Sequence, residues 1–228
     1  MAIAFVANTG NINGTAITSL EGTLSQTVAA GNFVVVAIRI GADARTITVT
    51  NDVSGTATLA LTKAIGGGNA GELSIFYFEN SGAATTVTVA ISGAGTAISF
   101  TVHEYSGIAT SGALDKTASA SDTSGTSTTL DSGPTIETEQ ADELLFGGGT
   151  TNTTTTMTAG TNYLNKASSP SGAGLQWCSG EDQIVAATST YSATFTLAAA
   201  RRWACGIATF KGATTGSTWP GYIGGGFF

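Results

Sequence analysis

Alternation with a period of two residues governs this chain. In Ala97-Ile98-Ser99-Phe100-Thr101-Val102-His103-Glu104, the apolar Ile98, Phe100 and Val102 fall on one side of an extended backbone. Ser99, Thr101 and His103 fall on the other side, which we expect to be the outer, wet face. The same pattern runs through Thr46–Thr50, Thr86–Ile91 and Ala193–Leu197. Threonine suits such a face, because its branched side chain packs on a pleated sheet and still hydrogen-bonds water. Two stretches, Phe33–Ile38 and Leu73–Phe78, are apolar on both sides and read as strands covered on both faces. Gly/Asn/Ser clusters at 30–32, 51–55, 66–69, 80–82 and 92–95 punctuate the chain at strand-length intervals. No amphipathic helix stands out. The expected fold is therefore all-β, a two-sheet antiparallel jelly-roll-like sandwich of about 14 strands.

A weak echo suggests duplication. Thr18–Glu21 followed by Gly31–Val35 parallels Thr128–Asp131 followed by Ala141–Leu145, 110 positions on. His103–Gly107 and Ala208–Gly212 close the two stretches alike. Two quasi-repeated halves, 1–112 and 125–213, would explain it, as would chance in a Thr- and Gly-rich chain. The Ser/Thr/Gly-rich run Ser119–Ser127 is expected to be the exposed link between them. Thr150–Thr158 reads either as a polar edge strand or as a loop. After this 1–213 sandwich comes the tail 214–228, which fits no strand pattern. It mixes glycine with Trp219, Tyr222, Ile223, Phe227 and Phe228. So aromatic a segment would be adhesive in water, so we expect it to dock, on its own domain or in a neighbouring subunit.

Composition narrows the function. Eight Lys+Arg face 15 Asp+Glu, a net charge of -7, so no basic surface exists for nucleic acid. No apolar run reaches the roughly 18 residues that span a membrane. The opening Met1–Gly10 lacks the basic region and the apolar length of a secretory signal. Cys178 and Cys205 read as buried thiols or one disulfide; with a single histidine they fall short of a four-ligand metal site. That histidine, His103, is expected to be half-exposed, and no Gly-x-Ser-x-Gly elbow accompanies it. Gly147-Gly148-Gly149 follows a strand, but no helix comes after it, so it is no phosphate cradle. The acid pairs Asp142-Glu143 and Glu181-Asp182 read as charges at strand edges that block edge-to-edge pairing. The best hydrolase constellation is Glu181 and Asp182 near Trp177. The expectation is no enzyme and no cofactor.

Glu104-Tyr105-Ser106-Gly107, Ala113-Leu114-Asp115, Asp142-Glu143-Leu144-Leu145 and Trp203 with Ile207–Lys211 together resemble a family of β-sandwich proteins. Its members occur in bacteriophage virions and on bacterial surfaces. The likeness runs from about Ala30 to Lys211, leaves out the tail, and implies no catalytic residues. It implies a virion structural protein, made in the host cytoplasm, which we read as a capsid decoration (cement) protein. Its partners would be the major capsid protein or tail proteins, with homo-oligomers expected. Candidate partner-binding residues are Trp219, Tyr222, Ile223, Phe227, Phe228, Phe5, Arg201 and Arg202. The alternative is a tail or fibre component or a carbohydrate-binding adhesin, with Trp177 and Tyr163 as sugar platforms.

Overall fold

A computed structural model describes residues 1–42, 44–169 and 178–214. Among these the chain is all-β and antiparallel, as its alternation requires. The first nine strands are β1 (Ala4–Ile17), β2 (Ser19–Thr23), β3 (Phe33–Ile40), β4 (Ile47–Asn51), β5 (Gly55–Thr56), β6 (Thr58–Gly66), β7 (Asn69–Phe78), β8 (Thr86–Ile91) and β9 (Thr96–Ser106). They make an inner sheet in the order β1-β9-β3-β7-β6 and an outer sheet β2-β8-β4-β5. The pairs β1:β9, β2:β8, β3:β7 and β4:β5 nest inside one another, as in a long hairpin rolled up on itself.

The second set repeats this winding. It comprises β10 (Leu114–Asp122), β11 (Thr129–Asp131), β12 (Glu143–Thr151), β13 (Met157–Ala159), β14 (Leu164–Ser169), β15 (Cys178–Val185), β16 (Thr194–Leu197) and β17 (Trp203–Lys211). Its inner sheet runs β10-β17-β12-β15-β14 and its outer sheet β11-β16-β13. The echo read from sequence is thus one winding used twice, with one residue of slippage. Leu20 and Leu130 both face their own half's core, 110 positions apart. In the next strand the core-facing partner of Val34 is Leu145, 111 positions on, so one residue has been inserted between them.

Four sheets stand where two were expected. Each outer sheet covers one face of an inner sheet, and the two inner sheets cover each other. The core of the first half gathers Val34, Val36, Ile38, Val89 and Phe100. That of the second gathers Leu130, Leu145, Phe195, Trp203 and Ile207. A third cluster lies between the inner sheets: Phe33, Ile75, Tyr77 and Tyr105 from one half, Leu144, Phe146 and Phe210 from the other. Hence every residue of β3 and β12 is buried. Burial also takes in Ser99, Thr101 and His103, which the alternation had turned to water. Polar alternation marks a sheet face, but it does not say whether another sheet covers that face.

The link between halves is also corrected. Ser119–Ser127 is not a bare connection, since β10 extends to Asp122; the crossing lies at 107–113. Asp122 then closes the following turn by accepting from the Ser124 amide at 2.7 Å and the Ser127 amide at 3.2 Å. In the Thr150–Thr158 stretch, β12 continues to Thr151 and β13 begins at Met157, so strand and loop each hold part of it.

A row of glycines lets the inner sheets approach. Gly148 is in register with Gly180 on one side and Gly206 on the other. A β-carbon on Gly180 would stand 2.7 Å from the His103 ring, and one on Gly206 2.7 Å from Leu61. The second half therefore presents a shallow trough, into which side chains of the first half seat.

Candidate functional site

Of the expected partner-binding residues, Trp219, Tyr222, Ile223, Phe227 and Phe228 lie outside the described residues, as does Trp177 of the glycan pair. The others are engaged within the chain. Phe5 is half-buried, its ring 5.9 Å from that of Tyr105 and edge-on to it, at the rim of the cluster between the halves. It serves packing here rather than display. Arg201 and Arg202 lie between β16 and β17. Arg201 donates to the Ala200 carbonyl at 2.9 Å, and Arg202 donates to the carbonyl of Gly67, in the β6–β7 turn of the other half. Tyr163 is buried in the second core and donates its hydroxyl to the Ser192 carbonyl at 2.9 Å, so it is no exposed sugar platform.

Glu181 and Asp182 do not form a working pair. They are consecutive on β15, so their side chains leave opposite faces of the sheet. Glu181 points into the second core and accepts the Gly160 amide at 2.8 Å. Asp182 points between the halves and accepts the Tyr105 hydroxyl at 2.5 Å. Burial, with the Asp182 charge beside it, pushes the Tyr105 phenol well above its ordinary pKa, so it remains a donor. Both cysteines are buried free thiols. Cys178 belongs to the cluster between the halves and Cys205 to the second core, so the sheet itself separates them. Burial pushes the Cys178 thiol up to about 12, which removes its nucleophilicity at neutral pH. His103 is fully buried, its ring 5.1 Å from Phe146. Glycine at 180, which leaves room for that ring, was the available sequence signal for its burial.

Two charged assemblies were not anticipated. Glu104 is a buried hub that accepts from the Ala29 amide at 2.8 Å and the Asn32 side chain at 2.7 Å, fastening the loop before β3. The second assembly gathers Asp115, Lys116, Glu139, Glu143 and Lys211 beside the ends of β10, β12 and β17. Lys116 lies 3.0 Å from Asp115 and 2.7 Å from Glu139, and Lys211 lies 3.4 Å from Glu139. Burial pushes Glu143 up to about 7, with the neighbouring Asp115 carboxyl acting in the same direction. Burial also works on Asp115 itself, but the Glu139 amide and Lys116 hold it below its ordinary value. The pair thus keeps one proton on Glu143 and one charge on Asp115. Reading Glu143 as an edge charge fails because β12 is the central strand of its sheet, whereas Asp142, just before that strand, is exposed. Glu181 sits one strand away on β15, equally inside.

Among the described residues, a groove of ≈680 Å³ opens where Met1–Ile3, Gln140–Asp142 and Gly212–Thr214 converge. Ile184 forms part of its wall and is 46% exposed, and Met1 is 78% exposed. Among the described residues no cluster of three or more His, Cys, Asp or Glu is arranged to hold a metal. Its wall is mixed, with Ile3, Ala213 and Ile184 beside Gln140, Asp142 and Thr214. No family model matches this chain, and neither a curated protein nor a solved structure is significantly similar to it.

Proposed function

We propose that this chain is a structural protein of a bacteriophage virion, a capsid decoration protein that attaches through its 214–228 tail and performs no chemistry. The observation that carries this reading is where the reactive groups lie. The Glu181 and Asp182 carboxylates, His103 and both thiols sit inside a four-layer β stack. None of them lines the groove at Thr214, whose wall mixes Ile3, Ala213 and Ile184 with Gln140 and Asp142. A decoration protein needs a stiff, protease-resistant body and a few apolar anchors that bury at a junction. Rows of exposed or half-exposed threonine on the outer sheets, such as Thr129–Thr196–Thr158, together with the net acidic charge, favour solubility of a densely covered particle. Two of the resemblance motifs fall at strand ends: Glu104–Ser106 closes β9 and Ile207–Lys211 closes β17.

The carbohydrate-binding alternative loses one of its two platforms with the burial of Tyr163. The test is incorporation. Particles of the phage that encodes this chain should contain it in stoichiometric amount by quantitative mass spectrometry. Removing residues 215–228 should lower occupancy at least about tenfold, as expected for losing several anchor aromatics. Unchanged occupancy would overturn the anchor assignment, and absence of the chain from the particles would overturn the reading itself.

A further inference from the structure

Neighbouring strands of the second half bring a lysine, an aspartate and a glutamate together. Glu143 on β12 stands directly opposite Lys211 on β17. Asp115 comes from β10, on the other side of β17. It lies where the pairing of β10 with β17 slips. Leu114 pairs with Phe210 and Thr117 with Ala208, so β10 takes three steps where β17 takes two. A bulge of this kind re-aims side chains. In a regular strand the consecutive Asp115 and Lys116 would point to opposite faces. Here both meet Glu139: the Asp115 carboxylate accepts the Glu139 amide at 2.7 Å, and the Lys116 ammonium lies 2.7 Å from the Glu139 carboxylate. The bulge also hands the Lys116 amide to the buried Thr209 hydroxyl, at 3.1 Å.

Lys211 Nζ is 3.9 Å from Asp115 Oδ1, and the Asp115 side chain is only 1% exposed. Glu143 is fully buried, with both its oxygens shut off from water. A surface ion pair needs no third, buried carboxyl, and burying one is costly. We propose that Lys211 and Asp115 join in an intramolecular isopeptide bond, with Glu143 as the proton shuttle. Glu143 passes its proton to Asp115 and takes one from the Lys211 ammonium. The neutral amine then attacks the Asp115 carboxyl carbon, and the C–N bond forms. Oδ2 accepts the Glu139 amide, which steadies the negative charge that develops there. The bond from carbon to Oδ1 breaks, and this oxygen leaves as water. In sum, two of the three ammonium protons go into that water, and Glu143 ends protonated, as it began. With its pKa raised to about 7 by burial and by Asp115, Glu143 can both give and take a proton at neutral pH. Burial is the larger cause and persists once the Asp115 charge is gone. Lys116 lies nearer to Asp115, at 3.0 Å. It follows Asp115 directly, however, so a bond between them would close a small ring around one trans peptide. Lys211 arrives from the next strand, opposite the shuttle. The link would tie the first strand of the second winding to its last and restrict the unfolded chain accordingly. It is made once, within the chain, turns over no outside substrate, and does not rest on the particle reading.

Intact-mass spectrometry on the full 228-residue chain tests the bond. After incubation near neutral pH, the folded protein should weigh one water less than its sequence. A tryptic digest should contain a branched peptide that joins the segments around Asp115 and Lys211. Lys211→Arg keeps the positive charge but cannot form the bond, and should show the full mass. Glu143→Gln should slow the linkage by a factor on the order of 10² or more, the usual scale for a general acid–base group. Circular dichroism checks that both variants fold. The full sequence mass in the folded, unaltered chain would overturn the proposal, whatever the variants do. A water loss mapped to other residues would overturn it as well. Linkage at the unaltered rate in Glu143→Gln would overturn the shuttle. All of this is read on the isolated chain, so its failure is distinct from failure to find the chain in particles.

Discussion

The two halves share one winding but fill it differently. Where the first half has Val36-Ala37-Ile38 in its central strand, the second has Gly147-Gly148-Gly149. A β-carbon at Gly149 would lie 2.9 Å from the Phe195 ring, and one at Gly147 2.7 Å from the Ala193 methyl. The second half therefore moves its bulk off the central strand, onto the outer sheet through Phe195 and Leu197 and onto Tyr163 in the turn before β14. On the other face, the trough of Gly180, Gly148 and Gly206 receives side chains that the first half keeps. Where the first half has Phe76 and Tyr77, the second has Glu181 and Asp182, and each carboxylate has a donor within reach. The lesson is that a duplicated fold conserves pairing and facing, while volume and polarity are free to move between layers.

Filling the trough should break this comparison most severely. Gly180→Val drives a side chain against the buried His103 and Phe146 rings, less than 3 Å away, and should cost about 3 kcal/mol in denaturant unfolding, while Gly206→Val meets only the terminal methyls of Leu61 and should cost less. An equal change at an exposed turn would cost far less, so a loss under about 1 kcal/mol would contradict the seating of the halves. Tyr105→Phe is smaller, converting a residue to its counterpart, Phe210. It leaves the buried Asp182 without the tyrosine donor and should cost about 1–3 kcal/mol.

A pH series sharpens the contrast further, because the Asp115–Glu143 pair belongs to the second half alone. The folded state raises Glu143 from its ordinary 4.5 to about 7, so it holds this proton more tightly than the unfolded chain does. That contribution to stability is fully present below about pH 4.5 and is lost as pH rises through 7. Glu143→Gln should flatten the stability profile across that window in pH-dependent melting curves. The smallest effect belongs to Arg202→Ala, which removes an exposed strap to Gly67 and should cost about 1 kcal/mol or less.

The sequence showed some of this directly. Six consecutive buried positions in β3, Phe33–Ile38, were legible because an unbroken apolar run needs cover on both faces; the burial of Arg39 just beyond them was not. The alternation of β8 was legible because one of its faces does meet water. Duplication was visible at Leu20 and Leu130, but not the one-residue slip at Val34 and Leu145, since neighbouring apolar residues mask a change of register. The faces of β9 and β15 were misread for a shared reason. Ser99, Thr101, His103 and Asp182 are polar, and only a partner sheet that supplies Tyr105 and a glycine trough makes their burial tolerable. Such a partner lies far away in sequence, 77 positions for Tyr105 and Asp182, and leaves no local mark. Tyr163 was offered as a sugar platform on the strength of its aromatic character, which serves a core equally well.

The account turns on the two windings being one body, locked through their inner sheets. Native-state hydrogen exchange across a denaturant series measures this most directly. The slowest amides of β3 and β9 should share a single opening free energy and a single denaturant slope with those of β12 and β17. Two separate classes, one for each half, with the first half opening while the second remains closed, would contradict it.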